Sequence, residues 1–461
     1  MSKAQGFLNK YLFCGKQFYR QLFILALPIT LQNLITSGLN LIDTIMLGWV
    51  GETEIAAVGI ANQYFFLFNL IFIGIFSGCS VFIAQFWGHQ NEASIRKVLG
   101  LGLLSASLVA LLFSLCAVFF PAQIMMVFSK DGAVIHVGSS YLRIVGLSYF
   151  FTAVGFGYSA AARSIGNTVL PMLVSTLALL CNTILNYLLI FGHGGMPALG
   201  VEGAAIATVV ARLLEVMILV AFADRIPALQ VRWRDLQRIT GEYVARIYKT
   251  VLPVILNDTT WGLAFVVYSV VFARMSTQAI TAVQITNTVH NLFFVVIFGI
   301  ANAAAVMIGH RIGEGKEEEG GDYAWSFALL SLASGVVLGL FLAICAPYIL
   351  SSFKISREVY QSALFIMYFT ALFMPIRVFS TVGIVGVLRG GGDVRFAFVT
   401  EAFTMWCIGV PVAFWSAFVL HCPVEYVVIL ISIEELTKSL VVLYRLVSQR
   451  WLKNVIQGME I

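Results

Sequence analysis

Leu27-Pro28-Ile29-Thr30, near the head of one long apolar run, is matched by Leu252-Pro253-Val254-Ile255 near the head of another. From these dipeptides onward, Leu27–Gly88 and Leu252–Gly313 stay in register at an offset of 225 without a gap. Ala57-Val58-x-Ile60-x-Asn62 meets Ala282-Val283-x-Ile285-x-Asn287, and Gly74-Ile75 meets Gly299-Ile300. Further on, the offset is 226, where Pro121 meets Pro347 and Arg163-x-x-Gly166-Asn167 meets Arg389-x-x-Gly392-Asp393. Near the ends of the halves it is 223, pairing Val201-Glu202 with Val424-Glu425. A duplication of this length in an apolar chain is the sequence mark of a transporter built from two repeated halves.

The chain is 60% hydrophobic and 11% charged, and its mean hydropathy is +0.92. A water-soluble fold of this composition would expose far too much apolar surface. The apolar runs recur at about the 20 residues needed to cross a bilayer as helix. In hydrocarbon every backbone group must bond internally, so the runs are expected to be helices, and strand-like alternation is absent. Twelve spans are read at 22–47, 55–84, 98–120, 137–161, 169–191, 201–223, 247–273, 280–309, 325–350, 359–388, 396–420 and 424–447. The expected fold class is therefore an all-α integral membrane protein with six helices per half. Six is even, so the halves share one orientation, as parallel repeats about an axis along the membrane normal. The domains expected are an N-lobe at 1–224, a cytoplasmic linker at 225–246 and a C-lobe at 247–461.

Lys and Arg set the orientation. Twenty of the 28 fall at the termini and in the loops after spans 2, 4, 6, 8 and 10, four in the opposite loops (Lys130, Arg274, Lys354, Arg357) and four inside spans. Both termini are thus expected in the cytoplasm of a plasma membrane, here a bacterial inner membrane. The net charge of +5 is this same bias and requires no nucleic acid. Lys10, Lys16 and Arg20 precede the first span, but that span belongs to the repeat and no small-residue cleavage site follows it. The seven scattered cysteines read as apolar fillers, neither disulfides nor metal ligands.

The linker holds Arg225, Arg232, Arg234, Arg238 and Arg246, with Trp233 among them, and reads as an anchor on anionic lipid. Gly313–Gly321 reads as a solvated acidic turn, its carboxylates lacking the alternate spacing of a calcium loop. Pro28, Pro253, Pro375 and Pro411 each remove a helical hydrogen bond inside a span. The pairing of Pro28 with Pro253 points to a shared hinge.

The order and spacing of several elements resemble the multidrug and toxic compound extrusion (MATE) family, within the MOP flippase superfamily. They are Leu27-Pro-Ile, Asp43-Thr-Ile-Met-Leu-Gly48, Ala57-Val-Gly-Ile, Arg163-Ser-Ile-Gly-Asn-Thr168, Gly200-Val-Glu-Gly-Ala-Ala-Ile-Ala-Thr208 and Leu388-Arg-Gly-Gly-Gly-Asp393. The resemblance covers nearly the whole chain. It implies two six-helix bundles related by pseudo-two-fold symmetry around a V-shaped central cleft, and export of organic, usually cationic, compounds against entry of sodium ions or protons. No cofactor is implied, and the expected partners are organic cations or drugs and the lipid bilayer, with the chain acting as a monomer.

A carboxylate within the bilayer is a functional candidate by default. Asp43 lies toward the outer end of the first span, and its repeat mate is Tyr268. Asn182 and Asn186 are four apart on one helix face, and Thr208 lies on the next span. In DinF-type and NorM-type MATE proteins these four positions line a cation or proton pocket, so Asp43, Asn182, Asn186 and Thr208 are the expected site, with sodium as the only metal in question. Burial opposes ionisation of a carboxylate while nearby amides favour it, a balance that suits exchange of a proton for a cation. DinF-type members often carry a second aspartate where this chain has Asn186, which leaves one carboxylate here.

In the second half Asp258 lies five residues past Pro253. NorM-type proteins carry an acid one turn further on, at Trp261 here, and another at Val378, beside Arg377, so their second acid site is not reproduced. Asp258, Arg377, Glu401 and Glu435 form the alternative C-lobe set. Arg212 and Glu215 correspond to Glu435 and Lys438, each pair spaced i, i+3 and reversed in polarity, as neighbours on a helix. They read as buried ion pairs, with Glu434 within reach. His290 reads as a packing residue. Tyr64, Phe65, Phe68, Phe293 and Phe294 are candidates for the lining of a permissive cation cleft.

Two rivals to antiport are a lipid-linked oligosaccharide flippase of the same superfamily and an intramembrane enzyme. Twelve spans argue against the first. The second lacks any His-Glu-x-x-His, Gly-x-Ser-x-Gly or paired-aspartate motif.

Overall fold

The computed structural model describes residues 15–237, 239–353 and 355–459. Lys3, Lys10, Arg238 and Lys354, which count toward the orientation, and the Trp233 side chain lie outside the described residues. Among the described residues all regular structure is helical. Apart from short helical segments such as Pro121–Phe128 and Trp233–Gln237, the helices are α1 (Lys16–Gly48), α2 (Glu52–Gly88), α3 (Glu92–Phe119), α4 (Gly132–Val145), α5 (Ser148–Ser164), α6 (Val169–Phe191), α7 (Gly200–Ala223), α8 (Gly241–Met275), α9 (Thr277–Gly313), α10 (Glu317–Ser351), α11 (Arg357–Leu388), α12 (Val394–Val419), α13 (Val424–Ile431) and α14 (Ile433–Val447).

Ten of these are long and apolar enough to cross a membrane, and α4 with α5, bent by 50°, makes an eleventh. The last pair, α13 and α14, breaks at Ser432 and carries Glu434, Glu435 and Lys438. Its two pieces, 8 and 15 residues long, are each shorter than a span, and the second carries the charges. Together these reproduce the twelve spans read from the sequence. Helix starts follow local chemistry, with Asn91 accepting from Ser94 N–H at 3.0 Å and Ser276 from Ala279 N–H at 3.0 Å. The apolar stripes that stay exposed, such as Leu104, Leu108, Leu111 and Leu115 on α3, recur one helical face apart and suit lipid.

The compact units do not divide at the linker expected at 225–246. They divide inside the proline-bearing helices: among the described residues one unit holds 15–30 and Leu256–Gly458, the other holds Leu31–Ile255 and Met459. The reason lies in a pair of repeat-matched glycines. In the second unit, a Cβ at Gly74 would come 2.7 Å from the Ile255 Cα. In the first unit, Gly299, the mate of Gly74, is pressed by Thr30, the mate of Ile255. Phe18, Leu22 and Leu25 accordingly sit in the same buried cluster as Ile308 and Phe327. Each glycine removes a side chain so that the opening turns of the other half's first helix seat against it.

The linker, expected to anchor on lipid, packs against the helices. Ala228 and Leu229 are buried, and Arg96 on α3 donates to the Pro227 carbonyl at 3.0 Å and faces Asp235 at 3.5 Å. In the first unit, π-helical turns occupy Val382–Leu388, Thr404–Gly409 and Trp415–Val419.

Candidate functional site

In the second unit, α6 presents Asn182 and Asn186 on one face toward Asp43 of α1. Asn186 Nδ2 donates to Asp43 Oδ1 at 2.9 Å. Only one orientation of the Asn182 amide is satisfied: its nitrogen donates to Asp43 Oδ2 at 2.9 Å and its oxygen accepts from Thr208 N–H at 3.2 Å. Both carboxylate oxygens thus hold an amide, while Asp43 itself is only half-buried. Asn186 Oδ1 is buried and has no hydrogen-bond partner among the described residues. An orphaned oxygen next to a carboxylate is a ready ligand for a hard cation or an acceptor for the O–H of a protonated acid. Arg212 acts on Asp43 through its charge, and Tyr141 lies in the same field.

A second network adjoins this one. Arg212 Nη1 meets Glu215 Oε2 at 2.7 Å, Ser175 donates to Glu215 Oε1 at 2.7 Å, and Gln32 donates to Ser175 at 3.0 Å. Gln32 and Ser175 were missed by sequence reasoning. Each is an ordinary polar residue in a helix, and only the contact identifies it.

The first unit brings the other set of ionisable residues together, with one rearrangement. Asp258 pairs with Arg389 Nη2 at 2.6 Å and lies outside the contacts of Lys438. Lys438 Nζ faces three carboxylates, Glu434 at 2.9 Å, Glu435 at 3.5 Å and Glu401 at 3.7 Å. Tyr268 donates to Glu434 at 2.7 Å, Ser380 to Glu435 at 2.5 Å, and Asn257 to Glu401 at 2.8 Å. Arg377 makes no ion pair within 4 Å among the described residues. Its guanidinium lies 5.3 Å from the centre of the Phe294 ring. Arg389 was read from sequence as a loop charge, yet it is 6% exposed. Its repeat mate Arg163 was the available signal, since both sit in the same Arg-x-x-Gly motif. His290 is buried and packs edge-on against Phe294 at 4.6 Å.

The aromatic candidates for a cleft lining need correction. Phe68 is fully buried and stacks on Tyr149 with centroids 5.1 Å apart, and Phe293 is buried as well. The spacing that placed Phe68 beside Tyr64 on a helix face is equally that of a core stripe, and here the core takes it.

Comparison with known proteins agrees with the repeated, all-helical fold. The MatE family model matches residues 28–188 and 253–415, one match in each half. The "Probable multidrug resistance protein NorM" of Agrobacterium fabrum is 25% identical over 415 residues, covering 87% of this chain and 87% of that protein. The "Uncharacterized transporter YisQ" of Bacillus subtilis is 24% identical over 395 residues, covering 85% and 86%. Among solved structures, MATE in the bent conformation superposes with a TM-score of 0.85 at 18% identity, covering 98% of this chain and 99% of that one.

Proposed function

Because the chain belongs to the MatE family, we propose that this multi-pass membrane transporter works as a secondary antiporter, driving organic cations out of the cell by the entry of sodium ions or protons at Asp43. It is a transporter and not an enzyme, and the multidrug-resistance relatives favour this reading over the oligosaccharide flippase. The observation that carries it is the Asp43 carboxylate, gripped by two amides at 2.9 Å with a spare buried oxygen on Asn186. Asp43, Asn182, Asn186 and Thr208 supply oxygens and neutral donors, and no cofactor is needed. The chain works as a monomer in the inner membrane with both termini in the cytoplasm, and the halves read from the repeat alternate access.

Coupling follows if ion and drug prefer different states of Asp43. An ion entering from outside neutralises the one free acid of the site, and a cationic cargo loses its counter-charge. The amide pair keeps the carboxylate placed while its charge changes hands.

The test is transport in vesicles of purified protein, with a fluorescent organic cation and with sodium and proton gradients imposed separately. Asp43→Asn keeps the shape but cannot ionise, and its single amide oxygen keeps one of the two amide donors, so gradient-driven efflux is expected to fall to the level of empty vesicles. Wild-type efflux by the folded variant would remove Asp43 from the mechanism.

A further inference from the structure

The first unit holds a buried charge cluster that the Asp43 site does not use. Four acids, Asp258, Glu401, Glu434 and Glu435, stand against three bases, Arg377, Arg389 and Lys438. With every group ionised, one negative charge has no counterpart, and inside a bilayer such an excess is expensive. The contacts show which acid is left over. Asp258 has Arg389 at 2.6 Å. Glu434 has Lys438 at 2.9 Å and the Tyr268 hydroxyl at 2.7 Å. Glu435 has the Ser380 hydroxyl at 2.5 Å, Lys438 at 3.5 Å and the charge of Arg377. Among the described residues Glu401 has a neutral amide at 2.8 Å, a lysine at 3.7 Å that two other acids hold more closely, and the charge of Arg389, which Asp258 already pairs at 2.6 Å.

A second observation points to the same carboxyl group. Asn257, 2% exposed, donates Nδ2 to Glu401, and its Oδ1 has no partner among the described residues. A buried amide with one satisfied end and one orphaned acceptor offers a donor to the ionised acid and an acceptor to a carboxylic O–H.

We propose that Glu401, set between Asn257 of α8 and Lys438 of α14, is a proton-binding site distinct from Asp43. The proton adds to one carboxyl oxygen of Glu401 and brings the cluster to neutrality. The groups facing it are Asn257, Asp258 and Tyr268 from α8, Arg377 from α11 and Arg389 just past its end, and Glu434, Glu435 and Lys438 from α14, with His290 of α9 beside Arg377. Its use in transport rests on the antiport reading, but the binding of the proton does not.

Infrared difference spectra between acidic and alkaline pH test this on the full chain in detergent. In the Asp43→Asn variant a carboxylic-acid carbonyl band is expected to remain, and in Asp43→Asn with Glu401→Gln that band should vanish. A band that survives Glu401→Gln, or no band in Asp43→Asn alone, overturns the assignment. Sodium at alkaline pH producing the same carboxylate change as acid also overturns it, in favour of a metal cation. Should Glu401→Gln fail to fold, Asn257→Leu in the Asp43→Asn background replaces it. Loss of the amide donor is expected to shift the band, and an unmoved band refutes the site. The vesicle assay on Asp43→Asn reads a different quantity, so failure of the antiport reading leaves a separate signature.

Discussion

The two halves solve one geometric problem with opposite charges. In the second unit Gln32 donates to Ser175, Ser175 to Glu215, and Glu215 pairs with Arg212. At the repeat-equivalent positions of the first unit Asn257 donates to Glu401, Glu401 faces Lys438, and Lys438 faces Glu435. The chain of contacts is conserved in space while nearly every chemical identity along it has changed. What differs most is the neighbourhood of the first helix. Asp43 is an acid held by neutral amides. Its mate Tyr268 is a neutral hydroxyl held by an acid, Glu434. Asn182 and Asn186 have the apolar mates Ile408 and Val412. The comparison teaches that the duplication preserved a scaffold and relocated the acid: to the half-buried edge of one bundle, and to the interior of the other.

The contrast is most directly broken at Lys438. Its ammonium is the common counter-charge of three carboxylates and is 5% exposed at the side chain. Lys438→Met keeps the length of the side chain and strands those acids. A loss of about 3–5 kcal/mol is expected, measured as lower thermal stability in detergent. Removing Arg212, whose side chain is 31% exposed, should cost far less, because water reaches Glu215's partner. Equal losses would mean that the two networks are equally solvated, and the comparison would fail.

Tyr268→Phe sharpens it further. Among the described residues the hydroxyl is the one neutral side-chain donor to Glu434, and Gly409 leaves the space the pair occupies. Loss of a donor to a buried charged group costs about 1–3 kcal/mol. The expected outcome is a stability loss in that range with the fold intact, read by the same thermal assay. No loss would show that Lys438 alone satisfies Glu434.

Much of this was legible in the chain. The 225 offset fixed the pairing of Pro28 with Pro253 and of Gly74 with Gly299, and the apolar runs fixed every span, because the bilayer leaves the backbone only one way to bond. The division between compact units was not legible. It depends on Thr30 and Ile255 seating against glycines of the opposite half, and hydropathy carries no information about which helix meets which. Asp43, Asn182 and Asn186 stood out because polar residues in oily helices are scarce. Gln32, Ser175 and Asn257 did not, since a lone amide or hydroxyl in a helix has many routine uses and acquires meaning only from its partner. Arg389 was hidden by its position at a helix end, where a charge ordinarily meets water.

Ser175 provides the smallest effect and the finest distinction. Its hydroxyl relays between Gln32 and Glu215, whereas its mate Glu401 is itself charged. In Ser175→Ala, Glu215 keeps Arg212 at 2.7 Å, and the half-buried Gln32 can turn to another partner. The cost expected is about 0.5–1.5 kcal/mol, that of one ordinary hydrogen bond, with gradient-driven efflux retained because Asp43 and its two amides are untouched. A large loss of efflux with little loss of stability would instead show that the Ser175–Glu215–Arg212 chain reports to Asp43 through the Arg212 charge. The two networks would then be alike in function as well as in geometry.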